Sequence, residues 1–204
     1  MAAVAAPYGL RAVNHLGGTP YAGSTRMYPI LTGYAVNIYY GSVVKLVNPG
    51  TAADGTIQIV DDLGNNADTF VAGTVGVFVG CTYTDPGSGT VVFRQNWPTG
   101  TVTADAQAYV VDDPHAIFQI QANGTVAQAG LGSNCFLVVQ ATGTGNLSSG
   151  NSTTAAVAAT VQTAAAFKIV GFVDSPTSTV GDAFTDLLVK FNPAAHAYTN
   201  GTGI

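Results

Sequence analysis

From Ile30 onward the chain alternates short apolar runs with turn residues, and no long segment shows a 3.6-residue hydrophobic period. The runs are rich in β-branched and aromatic residues, which favour strands. Asp54-Gly55 and Asp85-Pro86-Gly87 are examples of the turn sequences between them. The pattern predicts strands at 34–40, 43–47, 56–60, 74–83, 91–95, 107–111, 117–122, 135–140, 167–173 and 186–191. It indicates an all-β fold, a single β-barrel or β-sandwich (jelly-roll-like) domain.

Local patterns refine this prediction at three places. Val75, Val77 and Val79 alternate with other residues, so we expect them to share one face of their strand. Asn123-Gly124 follows an apolar strand and precedes Thr125-Val126, which predicts a hairpin with a primed turn. The segment Thr153–Phe167 is rich in alanine and threonine, so a short helix and an irregular segment both stay open.

Residues 1–29 differ from the remainder because glycine and proline alternate irregularly with large side chains. A free linker would lack such anchors. We therefore predict an extended N-terminal arm over 1–29 and a β-domain over 30–204. The alternatives are a frayed terminus or an irregular first strand of the same domain. An arm that binds a neighbouring subunit would use aromatic, apolar and arginine side chains, namely Tyr8, Leu10, Arg11, Tyr21, Arg26 and Tyr28.

Composition changes the functional picture. Charged residues make up 8% of the 204 residues, against about 25% in a typical domain, and the sequence contains no glutamate. The net charge is −5, which argues against nucleic-acid binding. The sequence also predicts no membrane segment and no signal peptide. A chain with few charges and a mean hydropathy of +0.30 is expected to cover part of its surface in an assembly.

Candidate chemistry is sparse. His15, His115 and His196 have no second ligand at metal-binding spacing, and we interpret them as exposed loop histidines. Cys81 and Cys135 are interpreted as buried, unpaired thiols. The paired aspartates at 61–62 and 112–113 are interpreted as turn caps rather than as a calcium site or glycosidase carboxylates. We predict no enzyme, cofactor, metal or small-molecule substrate; a carbohydrate-binding module that uses Trp97 and tyrosines stays as an alternative.

Four segments carry a resemblance to a known family: APYGLRAVNHLGGTPYAGSTRMYPI (6–30), GVFVGCTYTDPGSGTVVFRQNWP (76–98), AYVVDDPHAIFQIQANG (108–124) and KIVGFVDSPTSTVGDAFTDLLVKFN (168–192). They resemble structural proteins of tailed bacteriophages, especially short-tailed cyanophages and related marine phages, and are similar to capsid cement (decoration) proteins. The likeness covers most of the chain but departs from the family at Thr153–Ala166.

The resemblance implies a β-rich homotrimer that binds the major capsid protein on the outer surface of the phage head. Such a protein would be assembled in the host cytoplasm and would stabilise the shell without catalytic residues. Another virion component, such as a tail, fibre or head-completion protein, is the alternative that this resemblance leaves open.

Overall fold

The computed structural model describes residues 4–47, 50, 53–60, 73–138, 143–158 and 165–201, and within them it is all-β. The regular helical structure in these ranges is one 3₁₀ turn, Gln128–Gly130. The strands are Arg11–His15 (β1), Arg26–Pro29 (β2), Val43–Leu46 (β3), Ile57–Ile59 (β4), Thr74–Thr84 (β5), Val91–Arg94 (β6), Gln107–Val111 (β7), Ala116–Gln121 (β8), Asn134–Cys135 (β9), Gly145–Asn146 (β10), Asn151–Ser152 (β11), Phe167–Phe172 (β12) and Asp186–Phe191 (β13).

Two antiparallel sheets form the body of the protein. The first sheet has the order β1-β8-β13-β12-β9, and the second has the order β2-β7-β5-β3-β4. Strand β6 joins the second sheet beside the C-terminal half of β5, whose N-terminal half pairs with β3. Strands β10 and β11 form a separate hairpin. Both large sheets end in edge strands, so the sandwich-like fold forms and the closed barrel does not.

Two hydrophobic cores lie on opposite sides of the second sheet. The first core fills the space between the sheets and contains Phe118, Phe167 and Phe191 from the first sheet. The second core lies under the segments that connect the strands and contains Phe78 and Trp97. The second sheet is therefore buried on both faces over much of its area, which explains the nearly continuous burial along β5.

Strand β5 corrects the prediction that Val75, Val77 and Val79 share one face. Val75 lies in the second core, whereas Val77 lies in the first. The pairing register shifts opposite Val44 and Lys45, and again between Phe78 and Gly80. Each shift inserts an unpaired residue, and such a bulge reverses the alternation of side chains beyond it.

Two other local predictions are wrong. Residues 34–40 do not form a strand, because Ile38 pairs with Trp97 while Tyr40 pairs with Asn151, so the segment has no single partner. Asn123-Gly124 does not make a hairpin either. Strand β8 already pairs with β1 on one edge and β13 on the other, which leaves no free edge for a returning strand.

The N-terminal segment belongs to the body of the same subunit, and the arm boundary at residue 29 does not coincide with a structural boundary. Strand β1 pairs with β8 in the first sheet, and β2 pairs with β7 in the second. Before β1, the Gln121 side-chain amide hydrogen-bonds the backbone of Val4 and Ala6. An edge strand pairs through its backbone amide and carbonyl groups. An irregular sequence can therefore form such a strand as long as its amides are free. The alternative of an irregular first strand is the one observed.

The alanine-rich region is extended where it is described. Ala156 forms isolated bridges with Ala122 and with Leu137. Residues 159–164 lie outside the described residues, as do 61–72, which include the predicted Asp61-Asp62 turn cap.

Candidate interaction surface

The six residues that the sequence predicted to bind a partner do not form one surface in the structure. Leu10 is fully buried in the first core, and Tyr28 is buried at the edge of the second. Tyr21 is half-buried, its ring centre lies 5.8 Å from that of His15 in a tilted arrangement, and its hydroxyl donates to the carbonyl of Ser24. Burial raises the pKa of Tyr21. None of these three presents a free apolar side chain of the kind the arm hypothesis requires.

Tyr8 and Arg11 meet on the outer face of the first sheet. The Tyr8 hydroxyl donates to Asp186 Oδ1 at 3.1 Å, and the Arg11 guanidinium lies 4.4 Å from the centre of the Tyr8 ring. Burial, and then the Asp186 charge, raise the pKa of Tyr8. Burial also raises the pKa of Asp186, against the opposing effects of Tyr8 and Arg11. These contacts hold the N-terminal segment on its own sheet.

Tyr28 and Arg26 belong to a second polar cluster, which forms where β2 meets the end of β7. The Tyr28 hydroxyl lies 2.9 Å from Asp112 Oδ2 and 2.6 Å from the Tyr198 hydroxyl. Arg26 Nε lies 3.0 Å from the same carboxylate oxygen, and its guanidinium lies 5.1 Å from the centre of the Tyr198 ring. Burial, then the hydrogen bonds to Tyr198 and Asp112, raise the pKa of Tyr28. This cluster is internally satisfied and fastens β2 to the body.

A different surface carries the exposed apolar side chains, on the part of the second sheet that the first sheet does not cover. Met27, Val91 and Phe93 are exposed by 59%, 74% and 65%. The pairing registers place them on one face with their polar and aromatic neighbours. We call this set the apolar patch; its members are Met27, Pro29, Thr82, Thr84, Val91, Phe93, Gln107 and Tyr109.

The geometry of the apolar patch follows from strand pairing. Met27 lies opposite Tyr109, and the Phe93 ring centre lies 5.8 Å from that of Tyr109. Phe93 covers Gly80, where a side-chain carbon would come within 2.7 Å of the ring. The glycine thus lets an aromatic ring lie flat on the sheet. None of the eight members is charged, although Thr84, at one end, donates its hydroxyl proton to the Asp105 carboxylate at 2.6 Å. The other members form an exposed, uncharged surface of the kind found at protein interfaces.

A signal for this surface is present in the sequence. Val91, Val92 and Phe93 are consecutive apolar residues in one short strand. Because successive side chains point to opposite faces, such a run must expose apolar groups unless both faces are covered. Val92 packs against the second core, and its two neighbours point away from it.

A small cavity is found among the residues that the structure describes. Ala5, Pro7, Gln121 and Phe184 help to line a cavity of about 90 Å³ beneath the N-terminal segment, well below the roughly 300 Å³ of a typical ligand pocket. In the described ranges no three His, Cys or Asp side chains gather closely enough to hold a metal ion.

The two cysteines are free and buried, which confirms the sequence interpretation. Burial raises the pKa of Cys81 and of Cys135 to about 12. Neither thiol is therefore poised to act as a nucleophile at neutral pH.

No helix among the described residues is both long and apolar enough to cross a membrane. Comparisons with family models, with curated proteins and with solved structures find no match to this chain.

Proposed function

We propose that this chain is a structural virion protein, a capsid cement protein that binds the outer surface of a phage head and stabilises the major capsid protein shell as a homotrimer. The observation that carries the proposal is the apolar patch, an uncharged surface on a rigid sheet. A cement protein needs contact area rather than a pocket, and the apolar patch supplies contact area. The sequence resemblance to phage cement proteins supports the same function.

The energetics of the apolar patch are consistent with this role. Burying a side chain such as Val91 or Phe93 contributes roughly 1.5–3 kcal/mol relative to leaving it exposed. Thr82 and Gln107, between the apolar members, can hydrogen-bond to a partner without the cost of desolvating a charge. If three subunits each made this modest contact with the shell, the trimer would be attached stably.

The arm has no part in this form of the proposal. Leu10 and Tyr28 are buried in the subunit itself, and Tyr8, Arg11 and Arg26 already have partners on it. We assign the contact to the apolar patch, which needs no rearrangement of the subunit before binding.

A matched pair of substitutions tests the proposal. Val91→Lys places a charge in the apolar patch, and Val102→Lys places one at a valine of similar exposure, 69%, in the loop after β6. Both variants should keep their thermal stability within about 0.5 kcal/mol because the sites are exposed. Binding to shells of the major capsid protein would be measured by co-sedimentation, and subunit number by light scattering.

We expect Val91→Lys to lose trimer formation or shell binding at least tenfold and Val102→Lys to retain both. Equal behaviour of the two variants would remove the apolar patch as the contact. A reconstruction of the virus particle without this chain on its head would reject the function itself, whatever the variants do.

A further inference from the structure

His196 is fully buried, so its interpretation as an exposed histidine is wrong. Its segment, residues 192–201, which we call the C-terminal latch, pairs with the start of β5 through the amide of Ala197, 2.7 Å from the carbonyl oxygen of Thr74. Ala195 packs in the first core and Ala197 packs against the second. The latch therefore contacts both cores.

The hydrogen bonds of His196 require the neutral imidazole. Nδ1 accepts the backbone N–H of Tyr198 at 3.3 Å, so the ring proton resides on Nε2. Nε2 is buried and makes no full hydrogen bond, although the carbonyl oxygens of Val75 and Asp112 lie close enough to favour the protonated ring. A second proton would turn Nδ1 into a donor that faces the Tyr198 donor, and it would bring a positive charge into a buried site.

The surrounding carboxylates do not compensate for that charge. Asp112 Oδ2 already binds Arg26 Nε and the Tyr28 hydroxyl, at 3.0 and 2.9 Å. On the side of β13, the Phe191 ring lies 5.4 Å from the imidazole and offers no charge. The Tyr198 ring, 5.7 Å away within the latch, is bound through its hydroxyl to Tyr28.

The neighbouring carboxylate, Asp113, is also engaged, because its Oδ2 lies 3.0 Å from Nδ1 of His15. Burial lowers the pKa of His196. The charge of Asp112, the carbonyls of Val75 and Asp112, and the charge of Asp113 oppose this effect only in part.

We propose that the C-terminal latch is an acid-sensitive element, held closed by neutral His196 and released when that imidazole is protonated. Release would separate Tyr198 from Tyr28 and uncover the start of β5. This inference is independent of the proposed function, because it concerns only contacts within one subunit.

The direction of the pH effect follows from linkage. A released histidine has an ordinary pKa near 6.5, whereas the closed latch binds the proton more weakly. The closed form is therefore fully stable above about pH 6.5, and it loses stability as the pH falls from there toward the lower folded-state pKa. Within that window, opening should become about tenfold more favourable per pH unit.

Hydrogen exchange on the wild-type protein gives a test that requires no variant. Amide protection in 196–200 would be compared at pH 7.5 and pH 5.0 after correction for intrinsic exchange rates. We expect protection there to fall by up to about 30-fold, while β12 and β13 change by less than threefold. Unchanged protection in the latch at pH 5.0 would overturn the proposal.

His196→Gln and His115→Gln separate His196 from the other titrating groups. Glutamine can still accept the Tyr198 amide proton but does not titrate, whereas the exposed His115 serves as a matched control, and His15 is retained in both. We expect the acid-induced loss to vanish in the first variant and to persist in the second. If His196→Gln keeps the loss, another group is the switch; if that variant does not fold, the wild-type exchange result decides.

Discussion

The solvent-exposed surfaces of the two sheets differ in the side chains that they present. On the first sheet, Arg11, Lys168, Asp186 and Lys190 stand among the outward-facing positions, and residues 4–8 cover one end through Gln121 and Asp186. On the second sheet, the apolar patch contains no charge and nothing from the described part of the subunit covers Val91 or Phe93.

The contrast shows that the position of the charges in the fold, more than their number, determines which surface a partner can cover. With six basic and eleven acidic residues, the protein could have spread its charges evenly. Instead one sheet face has the residues that water solvates well, and the other has those that a partner covers at little cost of desolvation.

The largest expected effect compares the two cores through Phe118→Ala and Phe78→Ala. Both side chains are fully buried, Phe118 between the sheets and Phe78 beneath connecting segments. Each truncation leaves a cavity and should cost about 3–5 kcal/mol of unfolding free energy, measured by urea denaturation. A cost below about 1 kcal/mol for Phe78→Ala alone would show that the connecting segments close the cavity and that the second core is the softer one.

The reactivities of the two thiols allow the sheets to be compared, because Cys81 lies in the second sheet and Cys135 in the first. Burial raises both pKa values from 9.0 to about 12. At a given pH below 9 the thiolate population should be about a thousandfold smaller in the folded protein than in the unfolded one. Alkylation at pH 8, followed by mass spectrometry, should be slow at both sites and fast in denaturant. Rapid labelling of one site in the native protein would identify a sheet that opens locally.

Replacing a glycine with alanine in each sheet tests how closely other atoms approach the backbone there. A side-chain carbon at Gly76 would lie 2.0 Å from the Val111 carbonyl oxygen, whereas at Gly171 it would lie 3.3 Å from a flexible methyl group of Leu188. Gly76→Ala should therefore cost about 3 kcal/mol through displacement of β7, and Gly171→Ala less than about 1 kcal/mol. Thermal denaturation provides the measurement, with Gly17→Ala, at an open position, as control. Equal costs at the two sites would contradict this ranking.

The smallest effect concerns the charged face of the first sheet. Lys168 and Lys190 lie directly opposite each other on β12 and β13. Lys190→Glu replaces a like pair with an opposite pair and should stabilise by about 0.5 kcal/mol at low salt. The double variant with Lys168→Glu restores a like pair and should lose the gain. If the stabilities of the single and the double variant do not change with salt concentration, the two lysine side chains already keep apart in the wild type.

The sequence supported the fold class and most strand positions because β-branched runs and turn residues act locally. Nine of the ten predicted segments overlap a strand, 135–140 by Cys135 alone, and two of them, 107–111 and 186–191, have the observed bounds. The candidate site was less predictable. Tyr8 and Arg26 were identified as conspicuous residues, but whether such a side chain binds a neighbour or its own subunit depends on distant partners such as Asp186 and Asp112.

Residue type and local spacing were enough to predict an all-β chain with few charges and two unpaired thiols. The face of the sheet on which each side chain lies depended on the tertiary structure. Two bulges in β5 move Val75 into a different core from Val77, and the pairing of β6 exposes Phe93 beside Tyr109. Register is a non-local property, because a shift of one residue in a strand exchanges its buried and exposed faces while the local sequence stays the same.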